Sequence, residues 1–234
     1  MPVQPTVPDR KAVVLLSGGL DSATVLYIAK AEGYHCYVLS FDYGQRHRRE
    51  LESARWIALQ TSSPLQLLSF SLPWKGSALL DKTQSIPKGR SLQEMNREIP
   101  ATYVPARNTI FLSFAASWAE AIGASTIYIG ANALDFSGYP DCRPDYFAAF
   151  NRMIEKGTRE REKPIELVAP LVSKTKAEII QWGHRLGVPY EWTWSCYEGE
   201  DFPCGACDSC LLRAKGFKDA GIEDPLLRKS EKLP

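Results

Sequence analysis

The chain has 234 residues, 44% hydrophobic and 24% charged, enough for one large soluble domain with its own core, or for one domain with a small appendage. With 28 basic against 27 acidic residues the formal net charge is +1, so the electrostatics make no case for a nucleic-acid or membrane partner. No stretch approaches the roughly 20 apolar residues that cross a bilayer, and residues 1–10 carry three prolines without an apolar run, so a disordered start and a cytoplasmic protein are expected.

In chain order, residues 12–16 form a short apolar run that ends in a glycine-rich turn, the pattern of a buried parallel strand. Residues 21–32 read as a helix with Val25, Leu26, Ile28 and Ala29 on one side and Gly33 as its stop. A second apolar run covers 36–41, a helix 48–60, and a third strand 65–70. The stretch 72–105 is polar, interrupted by proline and glycine, and without a period; it reads as an insertion or lid near the strand ends. A helix over 108–122, a strand over 126–130, a helix over 145–156, a strand over 167–171 and a helix over 175–186 follow, the last opened by a Thr175/Glu178 capping box. Alternating strands and helices predict a Rossmann-like α/β fold with an open parallel sheet over 11–190, followed by a small cysteine-bearing segment over 191–234.

The first strand runs through Leu16 into Ser17-Gly18-Gly19-Leu20-Asp21-Ser22 and then into a helix. Glycines let the backbone approach a ligand, and the first helical amides are unpaired at the positive end of the helix dipole. Strand, loop and helix together predict a pyrophosphate site with Ser17 and Ser22 as hydroxyl donors. Asp21 repels a bare anion, so its expected role is to hold Mg²⁺ beside the phosphates. The Gly-Lys-Ser/Thr ending of a Walker loop and the G-x-G-x-x-G dinucleotide pattern are both absent.

Four of the six cysteines fall between Cys196 and Cys210. Cys204, Cys207 and Cys210 are each separated by two residues, and seven residues lie between Cys196 and Cys204. Four thiolates at short spacing suit one tetrahedral Zn²⁺ with no open position, hence a structural metal. An iron–sulfur cluster, a pair of disulfides and a sulfur-transfer site share the spacing, although no fourth cysteine follows Cys210 as a ferredoxin pattern requires.

The loop SGGLDS resembles that of the PP-loop ATP pyrophosphatases. That resemblance implies a fold of the adenine nucleotide alpha hydrolase type and cleavage of ATP to activate an acid or amide as an adenylate. Three further segments, FDYGQRH from Phe41 after the second strand, VPARN from Val104 opening the central helix, and GANALDFSGYPDCR from Gly130 after the fourth strand, fall at or near the carboxyl edge where open α/β sheets bind ligands. With Trp194-Ser195-Cys196 and the cysteine set, they make 11–224 similar to the 7-cyano-7-deazaguanine synthase family. The resemblance implies conversion of 7-carboxy-7-deazaguanine, ammonia and ATP to a nitrile for queuosine biosynthesis, with ATP, Mg²⁺ and Zn²⁺ as cofactors. It implies a small-molecule substrate, no direct nucleic-acid contact, and by analogy a homodimer. Thiolation of tRNA by a PP-loop enzyme is the competing reading.

Within that resemblance, Arg107, Arg143 and Lys176 are the cations expected to stabilise phosphate charge, with Asp21 beside them. Leu16 to Ser22, Asp42 and Gln45 are expected on the nucleotide side, although an ion pair suits Asp42 and His47 equally. Asp135 and Asp141 are expected to accept from the N–H groups of the base, with Tyr43, Phe136, Tyr139 and Phe41 as stacking surfaces. Cys142 reads as a small packing residue, because an adenylate route needs no enzyme thiol.

Overall fold

Four of the five residues of β1 (Lys11–Leu15) are buried, so this strand must be covered on both faces and lie inside a sheet. In the computed structural model, which describes residues 10–46, 48–95, 99–132, 139–159, 164–199 and 201–230, it is the central strand. β1 pairs in parallel with β2 (His35–Asp42) on one side and β4 (Thr126–Tyr128) on the other. β3 (Leu65–Ser69) and β5 (Glu166–Val168) form the edges, giving the order β3-β2-β1-β4-β5. The chain order reverses between β1 and β4, the place where open α/β sheets form a crevice beyond their carboxyl ends. The expectation for 1–10 lies outside the described residues, Arg10 apart.

Helices cover both faces. On one, α1 (Leu20–Ala31) and α6 (Lys176–Arg185) pack around Leu16, Leu26, Tyr128 and Ile180, and α2 (Arg49–Gln60) joins them beside β2. On the other, α4 (Arg107–Ile122) and α5 (Pro144–Gly157) cover Val13, Leu39, Ile127 and Leu167. The box predicted at Thr175 forms: its hydroxyl accepts from the Glu178 amide and the Glu178 carboxylate accepts from the Thr175 amide.

Three features depart from the sequence reading. β4 and β5 stop at Tyr128 and Val168, short of the expected 130 and 171; the residues after β4 line the crevice, and Leu171 after β5 turns into the core. The insertion contains a short helix, α3 (Leu92–Met95). The cysteine-bearing segment ends in α7 (Asp208–Ala220) and α8 (Pro225–Ser230), which the cysteine spacing gave no reason to expect. α7 lies against α6 so closely that a Cβ on Gly216 would sit 2.3 Å from Cγ of Lys176.

Candidate active site

The loop after β1 is held by its own hydroxyls. The Ser17 amide donates to Ser22 Oγ at 3.2 Å, the two hydroxyls are 3.0 Å apart, and the Gly19 amide donates to Ser17 Oγ at 3.2 Å. Gly18 adopts φ +90°, and a Cβ there would fall 2.1 Å from the carbonyl oxygen of Glu50. The backbone therefore turns where only glycine fits, against the first turn of α2. The carbonyl of Gly18 accepts from the Trp194 amide at 2.9 Å, tying the loop to the segment that carries the cysteines.

Beyond the loop is a cavity of about 280 Å³ at the switch point of the sheet. Leu16, Ser17, Gly19, Leu20, Asp21 and Ser22 form one wall, and Tyr43, Gln45, Glu50, Arg107, Tyr139 and Lys176 close around it. Lys176 Nζ donates to both oxygens of Asp21, at 3.0 and 2.8 Å, so the expected phosphate cation and the expected Mg²⁺ carboxylate stand at one point. Arg107 opens α4 after Ala106, which takes a left-handed φ of +53°. Burial works to lower the pKa of Arg107; Tyr43, Tyr139 and Cys142 outweigh it, so the guanidinium stays a fixed cation.

The remaining predicted residues are divided. Gln45 reaches the cavity but spends its amide on the turn after β2, accepting from the Tyr43 amide at 2.9 Å and donating to the Phe41 carbonyl at 3.1 Å. Phe41 stacks on Phe111 with ring centroids 4.0 Å apart. Asp42 stands off the cavity, facing Arg48 at 3.8 Å. Tyr139 lines the cavity and pairs its hydroxyl with Thr102 Oγ1 at 3.1 Å. Asp141 is buried and caps α4, accepting from the Asn108 amide at 2.9 Å, and borders a small recess behind Arg107 and Tyr139. Arg143 is exposed at the start of α5 and does not line the cavity. Asp135, Phe136 and His47 lie outside the described residues.

Cys142 faces the cavity; burial raises its thiol to about 11, and Asn108 Nδ2 lies 3.2 Å from its sulfur. Glu50 was not singled out by its sequence, since an acidic residue in a first helical turn is ordinary. Here it lines the cavity, and burial raises its carboxyl to about 7 against the opposing pull of Arg107.

Cys196, Cys204, Cys207 and Cys210 bring their sulfurs within 4.8 Å of one another, and none is in a disulfide. Four sulfurs around a tetrahedral ion at about 2.3 Å each would stand about 3.8 Å apart, so the set fits a metal. Amides of Glu198, Gly199 and Cys204 donate to the Cys196 sulfur at 3.4, 3.0 and 3.2 Å, an arrangement that favours thiolate. The Cys196 pKa is lowered, first by thiol donation from Cys207 and Cys210 and then by the Cys204 and Glu198 amides. The cluster is fastened to the insertion: the Gly89 amide donates to the Ala206 carbonyl at 2.9 Å, and Arg90 grips the buried carboxylate of Asp208.

A family model described as "Queuosine biosynthesis protein QueC" matches residues 11–221. A 7-cyano-7-deazaguanine synthase of Nostoc punctiforme is 58% identical, with 93% of this chain and 99% of that protein covered. One from Thermoplasma acidophilum is 53% identical over 96% and 94%. Among solved structures, the NMN synthetase of Francisella tularensis superposes with a TM-score of 0.50 at 17% identity, covering 94% of this chain and 82% of the other, a likeness of fold. No helix among the described residues is long and apolar enough to cross a membrane.

Proposed function

The chain belongs to the QueC family of queuosine biosynthesis proteins, and from that premise we propose that it converts 7-carboxy-7-deazaguanine to 7-cyano-7-deazaguanine, using ATP and ammonia. The observation that carries this reading is the convergence of the Ser17–Ser22 loop, the Lys176–Asp21 pair and Arg107 on one cavity. The curated relatives are named for the deazaguanine step, and nothing favours direct action on tRNA.

The chemistry is that of a carbon–nitrogen ligase. A carboxylate resists ammonia because its oxygen leaves poorly. Transfer of AMP from ATP to that oxygen, with pyrophosphate released as the α–β phosphoanhydride bond breaks, makes it a leaving group, and attack by ammonia then gives the amide and AMP. Loss of the amide oxygen by a second activation gives the nitrile, and a substrate that stays seated can undergo both rounds in one cavity. The loop amides and the Ser17 and Ser22 hydroxyls bind phosphate oxygens, while Lys176 and Arg107 offset charge developing at the reacting phosphorus. Asp21 is the carboxylate to hold Mg²⁺, which would neutralise the phosphates. Tyr43 and Tyr139 offer ring faces to a deazapurine, and Asp135 and Asp141 acceptors to its N–H groups. Zn²⁺ at the four cysteines is structural in this reading, fastening a separate C-terminal segment over 191–234 to the sheet domain. A cytoplasmic homodimer completes the proposal.

The test is mass spectrometry of products from the deazapurine acid, ammonium and Mg-ATP, with AMP and ADP separated. A nitrile and AMP are expected; metal-replete protein that yields no nitrile rules the reading out.

A further inference from the structure

Each C–N bond in this reaction releases protons. Ammonium must lose one before its nitrogen has a lone pair to donate, and an adenylated amide must lose one as the nitrile forms. A proton acceptor beside the activated carbon is therefore required. Among the described residues that line the cavity there is no histidine, and the carboxylates are Asp21 and Glu50. Asp21 has both oxygens already bonded to the Lys176 ammonium. The Tyr43 and Tyr139 hydroxyls are held protonated by burial, as is the Cys142 thiol.

Glu50 is differently placed. It lies in the first turn of α2, whose backbone is pressed against the phosphate loop at Gly18, and it lines the same cavity as Arg107. The charged and titratable groups acting on it include Arg107 from α4, Tyr43 from the turn after β2, and Cys196 and Tyr197 from the cysteine segment. A carboxylate in that setting can bind a small cation and take its proton.

We propose that Glu50 forms the subsite for the nitrogen nucleophile. It binds ammonium between the phosphate loop and Arg107 and takes one proton, which frees the nitrogen lone pair; that pair bonds to the acyl carbon, the C–O bond breaks with its electrons going to AMP, and the adduct's second N–H proton leaves on the AMP phosphate. The proton passes from Glu50 to solvent when AMP departs. This rests on the synthetase reading and extends it to a residue that the sequence motifs did not mark. A carboxyl already raised toward neutrality by burial suits the task.

The test separates adenylation from nitrogen transfer in Glu50→Gln. Exchange of labelled pyrophosphate into ATP, driven by the deazapurine acid without ammonium, is expected within about twofold of wild type. The kcat/KM for ammonium at neutral pH is expected to fall by about 10²–10⁴-fold, with bound metal unchanged. Raising the pH should recover part of the loss, as free ammonia replaces ammonium. Glu50→Asp, which keeps a carboxylate in the same turn, should recover at least tenfold over Gln. Wild-type kcat/KM for ammonium in Glu50→Gln overturns the proposal, and so does an equal loss in the exchange assay, which would place Glu50 on the acid or ATP instead. Wild-type protein that shows neither exchange nor nitrile overturns the synthetase reading and this one with it.

Discussion

Within Ser17 to Ser22 the bonds made by the two serine hydroxyls reach no more than five residues along the chain, and the Trp194 amide on Gly18 and Lys176 on Asp21 are the loop's long-range ties. The cysteine segment, which walls the same cavity through Ser195, Tyr197 and Ser209, depends on partners far away in sequence. Asp208 is gripped by Arg90, 118 residues earlier, and Lys88 both bridges to Cys207 and pairs with Glu198 at 2.5 Å. The first region is local backbone geometry that strand and helix dictate together. The second has little regular structure before α7 and gathers four sulfurs that repel one another as thiolates unless a cation sits among them. The two should therefore fail differently: one through its backbone, the other through its metal and its remote anchors.

The largest expected effect is on the metal side. Binding free energies of structural zinc in small domains are about 10–16 kcal/mol and count as folding free energy, against a whole-domain stability of about 5–15 kcal/mol. Cys207→Ser should lose bound metal and either precipitate or melt without a cooperative transition, measured by elemental analysis and calorimetry. A folded, metal-free and active variant would erase the contrast between the two regions. Next comes the anchor of α7. Arg213 is buried, donates to Asp224 at 2.6 and 2.9 Å, and reaches Thr193 Oγ1 at 2.7 Å and the Tyr190 carbonyl at 2.9 Å. Arg213→Ala leaves the buried Asp224 carboxylate unpaired and should cost about 3–5 kcal/mol in denaturant unfolding.

On the loop side, Gly18→Ala tests backbone geometry without touching the metal. The φ of +90° and the 2.1 Å approach to the Glu50 carbonyl force the loop or α2 to shift, with strain of about 1–3 kcal/mol. ATP affinity should fall while metal content stays at the wild-type level. Loss of metal from this variant would show that the two regions are one mechanical unit through the Trp194–Gly18 bond.

The same contrast explains what could be read from the chain. The phosphate loop was legible because its strand, glycines and helix start are contiguous, and the capping box at Thr175 was legible for the same reason. The cysteine set was legible as spacing, but its attachment to the insertion was not, since no local pattern links Arg90 to Asp208. Gly216 illustrates the same limit: it carries no local signal of its role, and only the packing shows that it lets α7 approach the stem of Lys176. Lys176 and Asp21, 155 residues apart, were each named for phosphate chemistry, yet their pairing is a property of the folded chain. Arg143, named from the same motif as Tyr139 and Asp141, is exposed at the start of α5 and is not among the described residues that line the cavity.

Glu50 lies where the two regions meet, and its titration offers the smallest and sharpest test. Its folded pKa of about 7 stands above the ordinary value of 4.5 because burial outweighs the attraction of Arg107. Between those values the folded chain holds a proton that the unfolded chain has released, so stability falls as pH rises through this window, and the loss is complete above it. The shift corresponds to about 3 kcal/mol at most. Glu50→Gln keeps the shape and removes the charge, so it should melt above the wild type at pH 8 and level with it at pH 4. Cys196 contributes to the shift in the same direction as burial, and four thiolates around a divalent ion keep a net negative charge, so metal loading should shrink the difference without reversing it. A variant less stable than wild type at pH 8 would mean that the attraction of Arg107 outweighs desolvation. The floor between loop and cysteine segment would then be held by charge, which would narrow the contrast between the two walls.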